Sequence, residues 1–131
     1  MEVSDIGECF VCGQGNPAGL QAVFCVDGES RSASARVTLP ERFQGWQGVV
    51  HGGIVASLLD EAAIYACRSL EPQLVTAEIT VRYKKPVPVG RELQVRAQFL
   101  EQRKRIMHVR AWVEMEGQLL AEADSKVFCL R

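Results

Sequence analysis

Residues 52–70 carry the one long helical pattern in this chain, and its first three turns are apolar on nearly every side, with Ile54, Val55, Ala56, Leu58, Leu59, Ala62, Ala63 and Ile64. A helix with one apolar stripe rests on a surface, whereas a helix apolar all round has to be enclosed. The remaining segments read as strands. Residues 20–26 and 32–39 flank the Asp27-Gly28 turn as a hairpin, and residues 74–83, 92–101, 106–115 and 119–130 follow the helix as four further strands, expected as a meander. One helix among six strands predicts an α+β chain in which a curved antiparallel sheet wraps around the helix. That sheet covers only one helix face and leaves an edge strand, so a two-fold dimer that extends the sheet and packs helix near helix is expected.

At 131 residues the chain is expected to form one domain over residues 1–131, with residues 1–19 as an N-terminal arm. Hydrophobic residues at 47%, charged residues at 24% and a formal net charge of −1 exclude an electrostatic nucleic-acid binder, so recognition has to work through shape. No apolar run approaches the roughly 20 residues of a membrane span, and the polar first residues lack a signal-peptide pattern. A cytoplasmic protein without a membrane partner is expected. The cysteines Cys9, Cys12, Cys25, Cys67 and Cys129 are odd in number and irregularly spaced, unlike a secreted disulfide framework. Cys25, Cys67 and Cys129 sit in apolar segments as small core residues. Cys9 and Cys12 have the spacing of a zinc or redox pair, but no second pair follows, and four-coordination would draw on His51, His108 or a symmetry mate. The expectation is therefore a tight knuckle that packs the arm, with no metal and no organic cofactor.

The chemistry concentrates at His51-Gly52-Gly53. Two glycines at a helix start let the backbone approach another molecule closely, and the free N–H donors and positive end of the helix dipole make an anion or carbonyl site. Asp60 lies two helical turns beyond Gly53, on one face with Ser57 and Ile64. A carboxylate in such a small, apolar setting is neutralised, paired or used. Either feature alone is ordinary, since glycine pairs make turns and Asp-Glu pairs are commonly solvated; their spacing is what points to function. Glu61 is turned by about 100° from Asp60, toward Tyr65 and Arg68, where a surface pair is expected.

The run from His51 to Asp60 resembles the signature of hotdog-fold acyl-CoA thioesterases, particularly the phenylacetate-degradation and 4-hydroxybenzoyl-CoA thioesterase group. Cys9-Phe10-Val11-Cys12-Gly13 with Asn16-Pro17-Ala18-Gly19-Leu20 is similar to the N-terminal element of one branch, and residues 75–87 to its third strand. The resemblance implies a hotdog fold, a homodimer often paired again into a homotetramer, and hydrolysis of an acyl- or aryl-CoA to free acid and CoA. Carried over, Gly52, with Gly53 beside it, polarises the carbonyl; Asp60 is general base or nucleophile; and Thr76 matches a hydroxyl that in some relatives orients the attacking water from across the dimer. His51 braces the loop. One departure is Gly45, where many relatives carry Asn or Gln, leaving Gln44 or Gln47 to take over that support. CoA phosphates call for basic residues, found at Arg82, Lys84 and Lys85 and at Arg103, Lys104 and Arg105, although each cluster also suits a solvated surface. Phe43, Trp46, Leu59 and Ile64 are expected to line the acyl chamber. Two other readings stay open: an acyl-CoA-binding or regulatory module without turnover, and an acyl-thioester dehydratase or hydratase.

Overall fold

The computed structural model describes residues 1–130. Strands β1 (Cys25–Asp27) and β2 (Ser32–Thr38) precede a helix, α1 (Gly52–Cys67), and strands β3 (Leu74–Tyr83), β4 (Glu92–Arg103), β5 (Ile106–Met115) and β6 (Gln118–Cys129) follow it. All neighbouring strands are antiparallel, and the six form one sheet in the order β1-β2-β4-β5-β6-β3. The helix crosses its concave face.

Alternation in the central strands sets which side chains meet the helix. Leu93, Val95 and Ala97 of β4, Met107, Val109, Ala111 and Val113 of β5, and Ala121, Ala123 and Val127 of β6 are buried, and α1 packs chiefly on β4 and β5. From the helix come Val55, Leu58, Leu59, Ala62, Ala63, Ala66 and Cys67, all buried. Alanines on both sides let the helix lie close to the sheet while the larger residues interdigitate. The other helix face, with Gly53, Ala56, Ser57, Asp60 and Ile64, is only half-buried or exposed. One sheet therefore encloses one side of a helix that is apolar nearly all round.

Four details depart from the expected layout. The last four strands are not a plain meander, because β3 pairs with β6 and occupies the outer edge, while β4 returns to lie beside β2. The crossover through α1 carries the chain over the sheet to that far edge, which no local pattern dictates. Residues 20–24 do not extend the first strand; Leu20 and Ala22 donate backbone bonds to Phe10 and Val11 instead, with Gln21 at φ 52°, so this stretch ties down the N-terminal arm. The helix stops at Cys67, where a tightened bond from Arg68 N–H to the Tyr65 carbonyl closes its last turn before Pro72. Strand β4 runs on to Arg103, two residues further than expected. The Glu116-Gly117 hairpin is as expected, both residues having positive φ (51° and 80°) as a type I′ turn requires.

Leu58 is completely enclosed between helix and sheet. Leu58→Ala should lower the unfolding free energy by about 2–5 kcal/mol, read as a fall in the urea midpoint at fixed protein concentration with an unchanged slope.

Candidate active site

The loop before α1 is built around His51. Gln44 Oε1 accepts from the Gly48 N–H (3.0 Å), Gly45 N–H bonds the Val49 carbonyl (2.9 Å), and His51 N–H bonds the Phe43 carbonyl (2.9 Å). Gly48, at φ 77°, makes the turn possible. A Cβ built at Gly45 would lie 3.3 Å from the His51 ring, so the loop backbone packs closely on the imidazole here. Gln44 does not replace the amide that many relatives carry at this position through its carbonyl oxygen, which is taken up in holding the loop.

His51 is the N-cap of α1. Its Nδ1 accepts a hydrogen bond from the Gly53 N–H at 2.9 Å, and its carbonyl accepts from Ile54 and Val55. An accepting Nδ1 leaves any ring proton of the neutral imidazole on Nε2. The two glycines thus divide their roles: Gly53 N–H is committed to the cap, whereas no acceptor for the Gly52 N–H is found among the described residues. Gly52 is held from its other side by Tyr83, whose hydroxyl donates to the Gly52 carbonyl (2.7 Å) and whose ring would lie 3.4 Å from a Cβ at this position. The free donor opens onto a cleft of about 780 Å³ lined by Trp46, His51, Gly52, Tyr83, Lys85 and Val87 among others.

Asp60 is half-buried, and Thr76 on β3 donates its hydroxyl to Asp60 Oδ1 at 2.5 Å. A β-bulge between Thr76 and Glu78 interrupts the pairing of β3 with β6 just beside Thr76, as bulges do where a side chain is re-aimed. This hydrogen bond is made within one chain. Ser57 bonds the Gly53 carbonyl (2.8 Å) instead. Eight residues of helix separate Gly52 from Asp60, about 12 Å along the axis. The free N–H and the carboxylate of a single chain therefore stand too far apart to act on one carbonyl group.

The remaining expectations divide. Trp46 lines the cleft and is 85% exposed, but Phe43 and Leu59 belong to the core and Ile64 lies further along the helix, so these three do not line this cleft. Arg82 is held by Glu122 and by Asp124, and Lys84 lies 3.7 Å from Glu122. Hydrogen bonds from Arg82 and then Arg110 keep the Glu122 carboxyl below the usual carboxylate range. Lys85, also at the cleft, makes no ion pair among the described residues. Arg103 pairs with Glu101. Glu61 does not meet Arg68, which pairs with Asp5 (3.2 Å) and lies over the Tyr65 ring; Glu61 instead faces Cys9. Tyr83 went unnoticed in the sequence because its partner is 31 residues away and a tyrosine at a strand end is unremarkable.

The family model of the thioesterase superfamily matches residues 47–122, from the His51 loop into β6. The chain belongs to the thioesterase superfamily. No curated protein matches it. Among solved structures, the thioesterase superfamily protein RHA08564 superposes with a TM-score of 0.86 at 24% identity over 93% of this chain; this chain covers 60% of that protein's length. The PaaI protein from the phenylacetic acid degradation operon of E. coli gives 0.77 at 24% identity, covering 86% of this chain and 81% of that one. Smu.793 of Streptococcus mutans, solved with acetyl-CoA bound, gives 0.72 at 19% identity over 82% and 85%. These likenesses establish the hotdog fold, a curved antiparallel sheet around one long helix. No helix of the described residues is long and apolar enough to cross a membrane.

Because His51 caps the helix through its ring, His51→Ala should cost about 0.5–2 kcal/mol of stability, while His51→Asn, a preferred cap, should recover most of it. Paired thermal melts of the two variants test this; equal losses would show that the cap bond contributes nothing.

Proposed function

We propose that this chain hydrolyses the thioester of an acyl- or aryl-CoA to the free acid and CoA, as a homodimer whose sites each combine residues of both subunits. The observation that carries the reading is the division of the two working groups along α1: a free Gly52 N–H at the helix start, and an Asp60 carboxylate oriented by Thr76 two turns later. Each is half a site. Two such helices side by side and antiparallel, on the faces the sheet leaves open, bring Asp60 of one subunit beside Gly52 of the partner subunit. The outer edge of β3 supplies the matching strand for a continuous sheet.

In that site the thioester oxygen accepts from the Gly52 N–H, with the helix dipole behind it, so charge developing on oxygen meets a fixed donor. Asp60 has Oδ1 engaged by Thr76 and Oδ2 left to act, either taking the proton of an attacking water or adding to the carbonyl carbon itself. By the first route the hydroxide adds, the C–S bond breaks and the proton taken up by Asp60 passes to the CoA thiolate; by the second the C–S bond breaks to leave an acyl–Asp60 anhydride and CoA thiolate, and a water then cleaves the anhydride, releasing the free acid, restoring the carboxylate and supplying the thiolate's proton. Lys85 is the basic residue at the cleft available for a CoA phosphate, and Trp46 gives that cleft an apolar wall. The relative with bound acetyl-CoA supports a CoA thioester as ligand. A binding module has no use for a carboxylate oriented by a hydroxyl. A dehydratase usually pairs a catalytic histidine with an acid in a different local motif, whereas the His51-Gly52-Gly53 turn here caps the helix through Nδ1.

Asp60→Asn should reduce kcat by at least about a hundredfold with the fold intact. Gly52→Pro is the complementary test, because proline is tolerated at the first helical position and His51, at φ −56° and ψ 135°, has a conformation that suits a following proline. It deletes only the free N–H and should cost about 10²–10³ in kcat. Heterodimers refolded from the two variants should regain activity through one intact site, whereas Asp60→Asn mixed with Thr76→Ala should not, since those residues share a half-site. An active monomer, or CoA thioesters that bind without thiol release in a DTNB assay across short, long and aromatic acyl groups, would overturn the proposal.

A further inference from the structure

The N-terminal arm is organised around the Cys9 sulfur, away from the cleft. Val11 N–H and Cys12 N–H both point at Cys9 Sγ, each at 3.4 Å, and Gly13 N–H closes the turn on the Cys9 carbonyl at 2.9 Å. A Cβ at Gly13 would stand 2.3 Å from the Cys9 nitrogen, so only glycine allows the chain to double back this tightly. Two backbone N–H groups converging on one sulfur orient it and offset negative charge on it, as partners around a metal-bound thiolate do.

A third acidic group completes the cluster. Glu61, projecting from α1, brings Oε2 to 2.7 Å from Cys9 Sγ, and ligand atoms of Cys9, Cys12 and Glu61 all lie within 4.8 Å of one another, each residue half-buried. No lysine or arginine pairs with Glu61 among the described residues. Two thiols and a carboxylate gathered at one half-buried point, with no basic side chain among them, are a donor set that suits a thiophilic divalent metal. Tetrahedral zinc, with bonds of about 2.3 Å to sulfur and about 2.0–2.2 Å to oxygen, separates its ligand atoms by roughly 3.5–3.8 Å, inside the 4.8 Å within which this cluster already lies, with the 2.7 Å Cys9–Glu61 contact opening to admit the ion. An adjoining cavity of about 480 Å³, lined by Cys9, Cys12, Glu61 and Arg68 among others, admits water to a fourth position.

We infer that Cys9, Cys12 and Glu61 bind a zinc ion that fastens the N-terminal arm to α1. Thiolate ligands select zinc over magnesium or calcium. The expectation of a metal-free knuckle rested on the lack of a second cysteine pair, whereas the third ligand in this proposal is a glutamate 52 residues further on. The other arm contacts are weaker fasteners: Asp5 with Arg68, the Val3 backbone with Gln73, and Phe24 stacked on Tyr65.

The test uses the full untagged chain, purified under reducing conditions, loaded with zinc and dialysed against metal-free buffer. Elemental analysis should find about one zinc per chain. Cobalt titration of the wild-type protein should give near-ultraviolet thiolate-to-cobalt charge transfer and the intense visible bands of a tetrahedral ion. Cys9→Ser and Cys12→Ser should abolish both signals, Glu61→Gln should weaken zinc affinity by at least about tenfold, and Cys25→Ser should leave them unchanged. The cobalt spectrum needs no variant, so misfolding of a mutant cannot obscure it. Zinc far below stoichiometric after loading, cobalt without charge transfer, or a Cys9–Cys12 disulfide that takes up no zinc after reduction would overturn the inference. None of these readouts depends on thioester hydrolysis.

Discussion

Enclosure of α1 from one side only governs the rest of the molecule. Its 16 residues include seven buried against the sheet, while the opposite face holds Ala56, Ser57, Asp60 and Ile64. A helix this apolar cannot leave that face to water at no cost, yet a carboxylate on it forbids a purely apolar cover. In the proposed dimer both demands are met by a cover that is itself a copy of the same face, because a two-fold contact would place the polar start of one helix against the acidic middle of the other. The functional requirement and the packing requirement then have one solution. On that proposal the 12 Å or so of helix between Gly52 and Asp60, too long for one chain to use alone, is the spacing that would let two chains build two identical sites.

At the helix start, chemistry depends on which backbone donors remain after the fold has taken its share. An N-terminus has several unsatisfied N–H groups, and a side-chain cap normally takes one of them. Here His51 takes Gly53 and leaves Gly52, while Tyr83 fixes the Gly52 peptide through its carbonyl. A histidine beside a catalytic turn invites a proton-transfer reading. Its geometry instead makes it a structural acceptor, with the imidazole close enough to Gly45 that a Cβ there would meet it at 3.3 Å.

Local features were readable from the sequence because local forces make them. The helix, the strand alternation, the Glu116-Gly117 turn and the two-turn spacing of the glycines and Asp60 each follow from residues within one element, and the structure has all of them. Features set by distant partners were not readable. The place of β3 beside β6 depends on where the crossover lands; residues 20–24 have strand composition but serve the arm; Thr76 reaches Asp60 through a bulge; and Glu61 finds Cys9 rather than Arg68. In the last case the helical angle between Asp60 and Glu61 was sound. What it could not reveal was that the arm folds back to lie where Glu61 points, while Asp5 of the same arm takes Arg68.

The basic residues show the same principle acting on ligand recognition. Arg82, Lys84 and Lys85 are consecutive or nearly so in sequence and look interchangeable as phosphate partners. Strand alternation and cross-strand pairing separate them: Arg82 lies opposite Glu122 in the register of β3 and β6, and with Arg110 it holds that carboxylate in its charged form. Since the Glu122 pKa is lowered in the folded chain, this network stabilises the fold above the ordinary carboxylate range and loses that contribution as pH falls through the lowered value. Exposed as its arginines are, it acts as surface electrostatics of modest strength. A cation already matched to a carboxylate must give up that partner to bind a phosphate, and Lys85 has no such partner among the described residues. Of three similar charges, Lys85, two residues past the end of β3, is the one that pairing with Glu122 leaves out.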